Sequence, residues 1–194
     1  MEDRFQKLFI ALRYYLLGAD YIKALKAFDF ARRIHTGTRK DGKTPEFQHQ
    51  VEIALYLTTL KDVIDEERCI AAALLHDTLE DYDTVKREDI YSITDEKVAD
   101  ACVLLNKNGK KPENYFGDIS NDHIASLVKG SDRVHNVNSM KGVFSVEKQK
   151  EYIGEVEQWF LPMLKNARNR FPEQTRAYFN VEHMLRSQIN FLKD

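Results

Sequence analysis

The chain has 194 residues, of which 43% are hydrophobic and 31% charged, enough apolar material for one domain with its own core. Its 29 basic and 31 acidic residues give a formal net charge of −2, so no overall positive field attracts nucleic acid or anionic lipid. No apolar run approaches the roughly 18 residues that a membrane span requires. Cys69 and Cys102 lie in apolar helical patterns without CxxC spacing, as core residues do in a reducing cytosol. We therefore expect a cytoplasmic protein with neither nucleic-acid nor membrane partners.

Apolar residues recur every three or four positions along the first half of the chain, as on the buried face of a helix. The pattern predicts four helices here, over about 5–16, 22–31, 46–60 and 65–78. Between the second and third of these, HTGTRKDGKTPEF contains two glycines and a proline and has no periodicity. This composition predicts an ordered loop.

The second half of the chain is predicted to be helical as well. Thr94 is expected to cap a fifth helix that ends near NKNGKKP. Further helices are expected over about 121–138, from a cap at Ser145 to about residue 168, and from Pro172 onward. With no convincing strand, repeat or linker, the sequence predicts an all-α fold and a single domain over residues 1–194.

Four side chains of the types that bind divalent metals lie in apolar helical segments or directly after them: His49, His76, Asp77 and Asp132. A buried carboxylate without a partner is costly. One divalent cation shared by the four would neutralise the carboxylates and use the imidazoles as neutral donors. This mixed nitrogen and oxygen set suits manganese, iron or another first-row metal.

The local spacing adds two expectations about this cluster. His76 and Asp77 are adjacent, so on a helix their side chains diverge by about 100°, and a helix end or a bend is needed for both to reach one ion. Glu80 and Asp81 follow at three- and four-residue spacing and lie near enough to reach the same site.

Three segments resemble the signature segments of metal-dependent HD-domain phosphohydrolases: RIHTGTRKDGKTPEFQH, AALLHDTLED with the following Thr84, and VKGSDRVHN. More narrowly, they resemble the hydrolase domain of the Rel/SpoT-type enzymes of the stringent response and its stand-alone form, the small alarmone hydrolases. The resemblance covers residues 27 to 162 approximately. It implies a compact helical HD-domain fold. The C-terminal helices of residues 145–194 have no close counterpart in the family, and we expect them to pack on this fold.

The resemblance also implies an activity and a role for each matching residue. The activity is removal of the 3′-pyrophosphate from guanosine tetra- or pentaphosphate, (p)ppGpp, to give GDP or GTP. The cofactor is one divalent ion, Mn²⁺, and the partner is a small guanosine nucleotide. The metal ligands are His49, His76, Asp77 and Asp132; the pair that positions and deprotonates water is Glu80 and Asp81; the nucleotide-binding residues are Arg39, Lys40, Asn136 and Lys148.

One departure from the family keeps other functions open. The family usually has an apolar residue before the first ligand histidine and a proline after it, whereas this chain has Gln48-His49-Gln50. An HD-domain nucleotidase or pyrophosphohydrolase acting on another purine nucleotide, including (p)ppApp, is therefore the alternative. A helical module that binds without turnover is disfavoured, because a binder does not need the Glu80-Asp81 pair. Assembly into a homo-oligomer is left open.

Overall fold

The computed structural model describes residues 2–193 and is built from helices connected by short loops. A π-helical segment, Val156–Phe160, joins the tenth helix to the eleventh, and a 3-10 turn, Pro172–Gln174, precedes the last. The helices are α1 (Glu2–Gly18), α2 (Ile22–Ile34), α3 (Glu46–Thr58), α4 (Glu66–Leu75), α5 (Thr78–Asp81), α6 (Arg87–Ile93), α7 (Glu96–Leu105), α8 (Pro112–Ile119), α9 (His123–Ser139), α10 (Val146–Glu155), α11 (Leu161–Arg170) and α12 (Thr175–Lys193).

The predicted all-α fold is confirmed: residues 2–193 contain no β-strand. A single antiparallel bridge between Thr38 and Pro45 closes the predicted loop between α2 and α3. Within this loop Asp41 accepts hydrogen bonds from the backbone N–H groups of Lys43 and Thr44, both at 2.9 Å. The loop is therefore ordered by its own polar contacts, as its composition predicts.

Two details of the helix prediction are wrong. The N-cap of α7 is Asp95, whose carboxylate accepts from the Val98 N–H at 3.2 Å, while Thr94 ends the preceding helix. The short helices α6 and α8 were not predicted, because each has only one or two fully buried residues and so shows little periodicity. Ser145 does cap α10, accepting from the Lys148 N–H at 3.2 Å.

The helix α4 lies at the centre of the core. Residues 69–75 are all fully buried, and the alanines at 71–73 let α2, α3, α7 and α9 pack closely around the helix. Cys69 and Cys102 are buried free thiols, as predicted. Because α4 is enclosed on several sides, its C-terminal end is held rigidly, and this end carries His76.

The C-terminal helices pack on α9. Where α11 and α12 cross α9, Gly130 permits close approach, since a Cβ there would lie 2.8 Å from Leu164 Cδ2 and 2.9 Å from Val181 Cγ1. Ser126 and Tyr178 are joined by a 2.7 Å hydrogen bond between their hydroxyls at the same interface. None of the helices within residues 2–193 combines the length and apolar character needed to cross a bilayer.

Candidate metal-dependent active site

The chain bends between α4 and α5, and this bend places His76 and Asp77 together. The helix α4 ends at Leu75, and Asp77 has φ −92° and ψ −8° before α5 begins. Thr78 Oγ1 donates to the Leu75 carbonyl at 2.6 Å, which satisfies one carbonyl freed by the bend. As a result His76 Nε2 lies 3.0 Å from Asp77 Oδ2. The break between α4 and α5 is therefore the helix end that this adjacent pair was predicted to require.

His49 of α3 and Asp132 of α9 complete the cluster. His49 Nε2 lies 3.3 Å from Asp132 Oδ1 and 3.8 Å from Asp77 Oδ2. His76 Nε2 lies 3.7 Å from Asp132 Oδ1, and ligand atoms of His49, His76 and Asp77 all lie within 4.8 Å of one another. Two imidazole nitrogens and two carboxylates thus converge on one point from three separate parts of the chain.

The hydrogen bonding of His76 fits a cation at this point. Its Nδ1 is held by the Ala73 carbonyl at 2.8 Å, so Nδ1 carries a proton. Its Nε2 is buried and, despite its nearness to Asp77, has no partner with hydrogen-bond geometry among the described residues. A buried polar atom of this kind is normally satisfied, and a divalent ion held by the four residues would satisfy it.

The pKa values show that the cluster stabilises positive charge. Burial lowers the pKa of His76, but the Asp77 and Asp132 carboxylates outweigh it and raise the value to about 10. The two carboxylates therefore favour a positive charge at this point. Burial lowers the pKa of His49 to about 4, against the opposing effect of Asp132, so this imidazole is a neutral donor.

The two carboxylates of the acidic pair on α5, Glu80 and Asp81, lie in different electrostatic surroundings. Glu80 pairs with Lys107, whose Nζ lies 2.6 Å from Oε1, and also accepts from the Lys107 backbone N–H at 3.3 Å. For Asp81, burial and then the charges of Asp77, Glu80 and Glu46 raise the pKa to about 6. A carboxyl group with this pKa suits proton transfer near neutral pH.

A cavity of about 460 Å³ opens beside the cluster, and Arg39, Lys40, Asn136, Glu80 and Asp81 all line it. Arg39 donates to Asn136 Oδ1 at 2.9 Å, and Asn136 Nδ2 donates to Asp132 Oδ1 at 2.6 Å. The loop before α3 is thereby connected to the cation-binding cluster. Lys40 Nζ lies 5.4 Å from the centroid of the Phe144 ring.

Of the four candidate nucleotide-binding residues, Lys148 is the one that does not line this cavity. Its Nζ pairs with Glu151 at 2.6 Å, and its side chain is 48% exposed. The nearest link to the cavity is the ring of Tyr152, which lines it and whose centroid lies 5.7 Å from Lys148 Nζ.

Sequence reasoning did not assign several charged side chains at this site. Lys129 Nζ donates to Asp132 Oδ2 at 3.2 Å and is almost enclosed. Its position three residues before Asp132 on α9 was the available signal. Glu46 accepts from Tyr82 at 2.9 Å and contacts His35 Nδ1 at 3.2 Å, which no local spacing indicates.

A family model supports the predicted resemblance. The model described as "HD domain" matches residues 27–115, a little under half of the chain. These residues are therefore similar to an HD domain. Within the matched range of the HD domain lie His49, His76, Asp77 and the acidic pair.

Curated relatives have the same region within longer chains. The chain is 34% identical over 172 residues to the guanosine-3′,5′-bis(diphosphate) 3′-pyrophosphohydrolase of Aquifex aeolicus, covering 84% of this chain and 23% of that protein. It is 30% identical to a probable enzyme of the same name from Synechocystis, covering 71% of this chain and 19% of that protein. It is 29% identical to the GTP pyrophosphokinase rsh of Brucella melitensis, covering 81% of this chain and 22% of that protein. The chain thus spans about a fifth of the length of these relatives.

A solved structure has the same fold. It is described as a metazoan orthologue of SpoT that hydrolyses ppGpp, and it superposes with a TM-score of 0.66 at 19% identity, covering 86% of this chain and 95% of that one. The predicted helical HD fold is thereby confirmed. The prediction of one hydrolase domain over all 194 residues stays a prediction.

Proposed function

We propose that this chain is a metal-dependent hydrolase that removes the 3′-pyrophosphate from guanosine tetra- or pentaphosphate. The observation that carries the proposal is the convergence of two histidines and two aspartates beside the Glu80-Asp81 pair. The printed names of the relatives from Aquifex aeolicus and Synechocystis support the same reaction. Water adds to the phosphorus attached to the ribose 3′ oxygen, that P–O bond breaks, and GDP or GTP and pyrophosphate are released.

One divalent ion, Mn²⁺ in our proposal, would be held by His49, His76, Asp77 and Asp132. When bound, such an ion lowers the pKa of water and offsets charge on phosphate oxygens. The mixed nitrogen and oxygen donors, with no thiolate among them, support manganese over a thiolate-preferring metal.

The candidate residues outside the metal-binding set have separate roles in proton transfer and in nucleotide binding. Asp81 accepts the proton of the attacking water, because Glu80 is engaged by Lys107. Arg39 and Lys40 supply local positive charge for phosphate or base, and Asn136 contacts the nucleotide from α9. Lys148 can join them only if it leaves Glu151.

Another purine nucleotide, such as (p)ppApp, is the second candidate substrate. Gln50 takes the place of the proline that the family usually has. It is buried against the cavity, and neither its amide oxygen nor its amide nitrogen has a partner among the described residues. The side-chain amide of Gln50 can donate and accept hydrogen bonds, whereas a proline side chain can do neither. This difference supports a substrate pocket that differs from the family's. Location in the cytoplasm and assembly into oligomers remain predictions.

One substrate panel tests the proposal. Purified protein with Mn²⁺ should release pyrophosphate from ppGpp and pppGpp, and protein treated with a chelator should not. Release from the adenosine 3′-pyrophosphates instead would support the second candidate. Cleavage of ordinary purine 5′-nucleotides alone would also support the second candidate, and cleavage of none of these compounds would contradict both.

A further inference from the structure

A hydrogen-bonded relay runs from His49 away from the cation-binding cluster. His49 Nδ1 lies 2.9 Å from Nδ1 of His135, and His135 Nε2 lies 2.6 Å from Glu52 Oε2. We propose that Glu52 and His135 are positioning residues, which hold His49 in the tautomer whose unprotonated Nε2 faces the metal site. The inference rests on the metal site of the proposed function.

The direction of each hydrogen bond follows from the end of the relay. A carboxylate has no proton to donate, so His135 Nε2–H donates to Glu52. His135 in its neutral form then has an unprotonated Nδ1, which can only accept, and with this form His49 donates from its own Nδ1. This leaves a lone pair on His49 Nε2, the atom that faces Asp132 at 3.3 Å.

The reverse tautomer of His49 would disable the site. With the proton on Nε2, His49 would point an N–H at Asp132 and offer no lone pair to a cation. The relay excludes this tautomer for as long as His135 presents a bare nitrogen. Hydrogen bonds from the outer nitrogen also make a ligand imidazole more basic and fix the orientation of its ring.

The relay is itself held in place from α3. Glu52 lies one turn after His49, and its other oxygen, Oε1, accepts from Gln48 Nε2 at 2.9 Å. The carboxylate therefore cannot easily rotate away from His135. The two ligand histidines differ in what orients their rings. The backbone carbonyl of Ala73 orients His76, and no substitution removes a backbone carbonyl. Two side chains, which can be substituted, orient His49.

The test measures metal binding and not activity. We would compare the Mn²⁺ affinity, by competition with a chelator, and the Co²⁺ absorption spectrum of wild type, Glu52→Ala, Glu52→Gln and His135→Gln. Losing such an outer partner typically weakens metal binding about 10- to 100-fold, and we expect this for Glu52→Ala and His135→Gln. Glu52→Gln keeps an oxygen that can accept from His135, so we expect it to restore part of the loss.

Tyr56→Phe is the matched control. Tyr56 lies one turn after Glu52 on α3 and donates to Asn180 Oδ1 at 2.7 Å, so the variant loses a bond to another helix on the same element. Its Mn²⁺ affinity and Co²⁺ spectrum should match wild type. If wild type binds Mn²⁺ and all the relay variants bind it equally well, the relay is overturned and the metal site stands. If wild type binds no Mn²⁺, the metal site and the relay both fall.

Discussion

At the scale of single residues, Glu80 and Asp81 show how neighbouring carboxylates acquire different properties. Lys107 pairs with Glu80, whereas Asp81 faces the charges of Asp77, Glu80 and Glu46. We therefore expect Asp81→Asn to lower kcat by about 10²- to 10⁴-fold, the usual contribution of a general base. Mn²⁺ affinity should stay close to wild type, because Asp81 is not a proposed ligand. Full turnover in the variant would remove Asp81 from the mechanism.

The raised pKa of Asp81 also predicts how the rate depends on pH. A base must be ionised, so kcat should fall as the pH drops through the raised pKa of Asp81, about 6. Glu46→Gln removes one negative charge near Asp81 and should move this acid limb to lower pH. Tyr82→Phe is the control, since it removes a donor to Glu46 at 2.9 Å without changing its charge. An acid limb that stays in place in Glu46→Gln would contradict the electrostatic explanation.

At the scale of elements, the close crossing of α9 with α11 and α12 depends on Gly130. A methyl group there would lie under 3 Å from Leu164 and Val181, so Gly130→Ala should lower the free energy of unfolding by about 1–3 kcal/mol, as overpacking does. Gly154 of α10 has open space at its Cβ position. Gly154→Ala should therefore raise that free energy by about 0.5–1 kcal/mol. Urea unfolding of both variants checks the contrast, and equal effects would contradict it.

At the scale of the whole molecule, the proposed cation joins three parts of the core: α3, the α4–α5 bend and α9. An ion that binds only the folded state stabilises it by about 2.7 kcal/mol at 100 times its Kd. Mn²⁺ should therefore raise the Tm of wild type in calorimetry, and His76→Ala should lose this increase. Tyr56→Phe should keep it. A Tm that does not respond to Mn²⁺ in wild type would contradict the coupling.

Local patterns in the sequence are sufficient to predict the all-α fold, the ordered loop before α3 and the need for a bend at His76 and Asp77. These follow from local rules, since helical periodicity, turn composition and the angle between adjacent side chains need no knowledge of distant contacts. The same reasoning placed the cap of α7 one residue early, because Thr94 and Asp95 are both suitable caps and only packing selects between them.

Contacts between side chains that lie far apart in the sequence depend on the tertiary structure. His49 contacts His135, 86 positions away, and Arg39 contacts Asn136, 97 positions away, and no local pattern specifies such pairs. The tertiary structure also leaves Lys148 outside the cavity lining. The physical reason is that the face a residue presents depends on how helices cross, and crossings are set by the packing of the whole core.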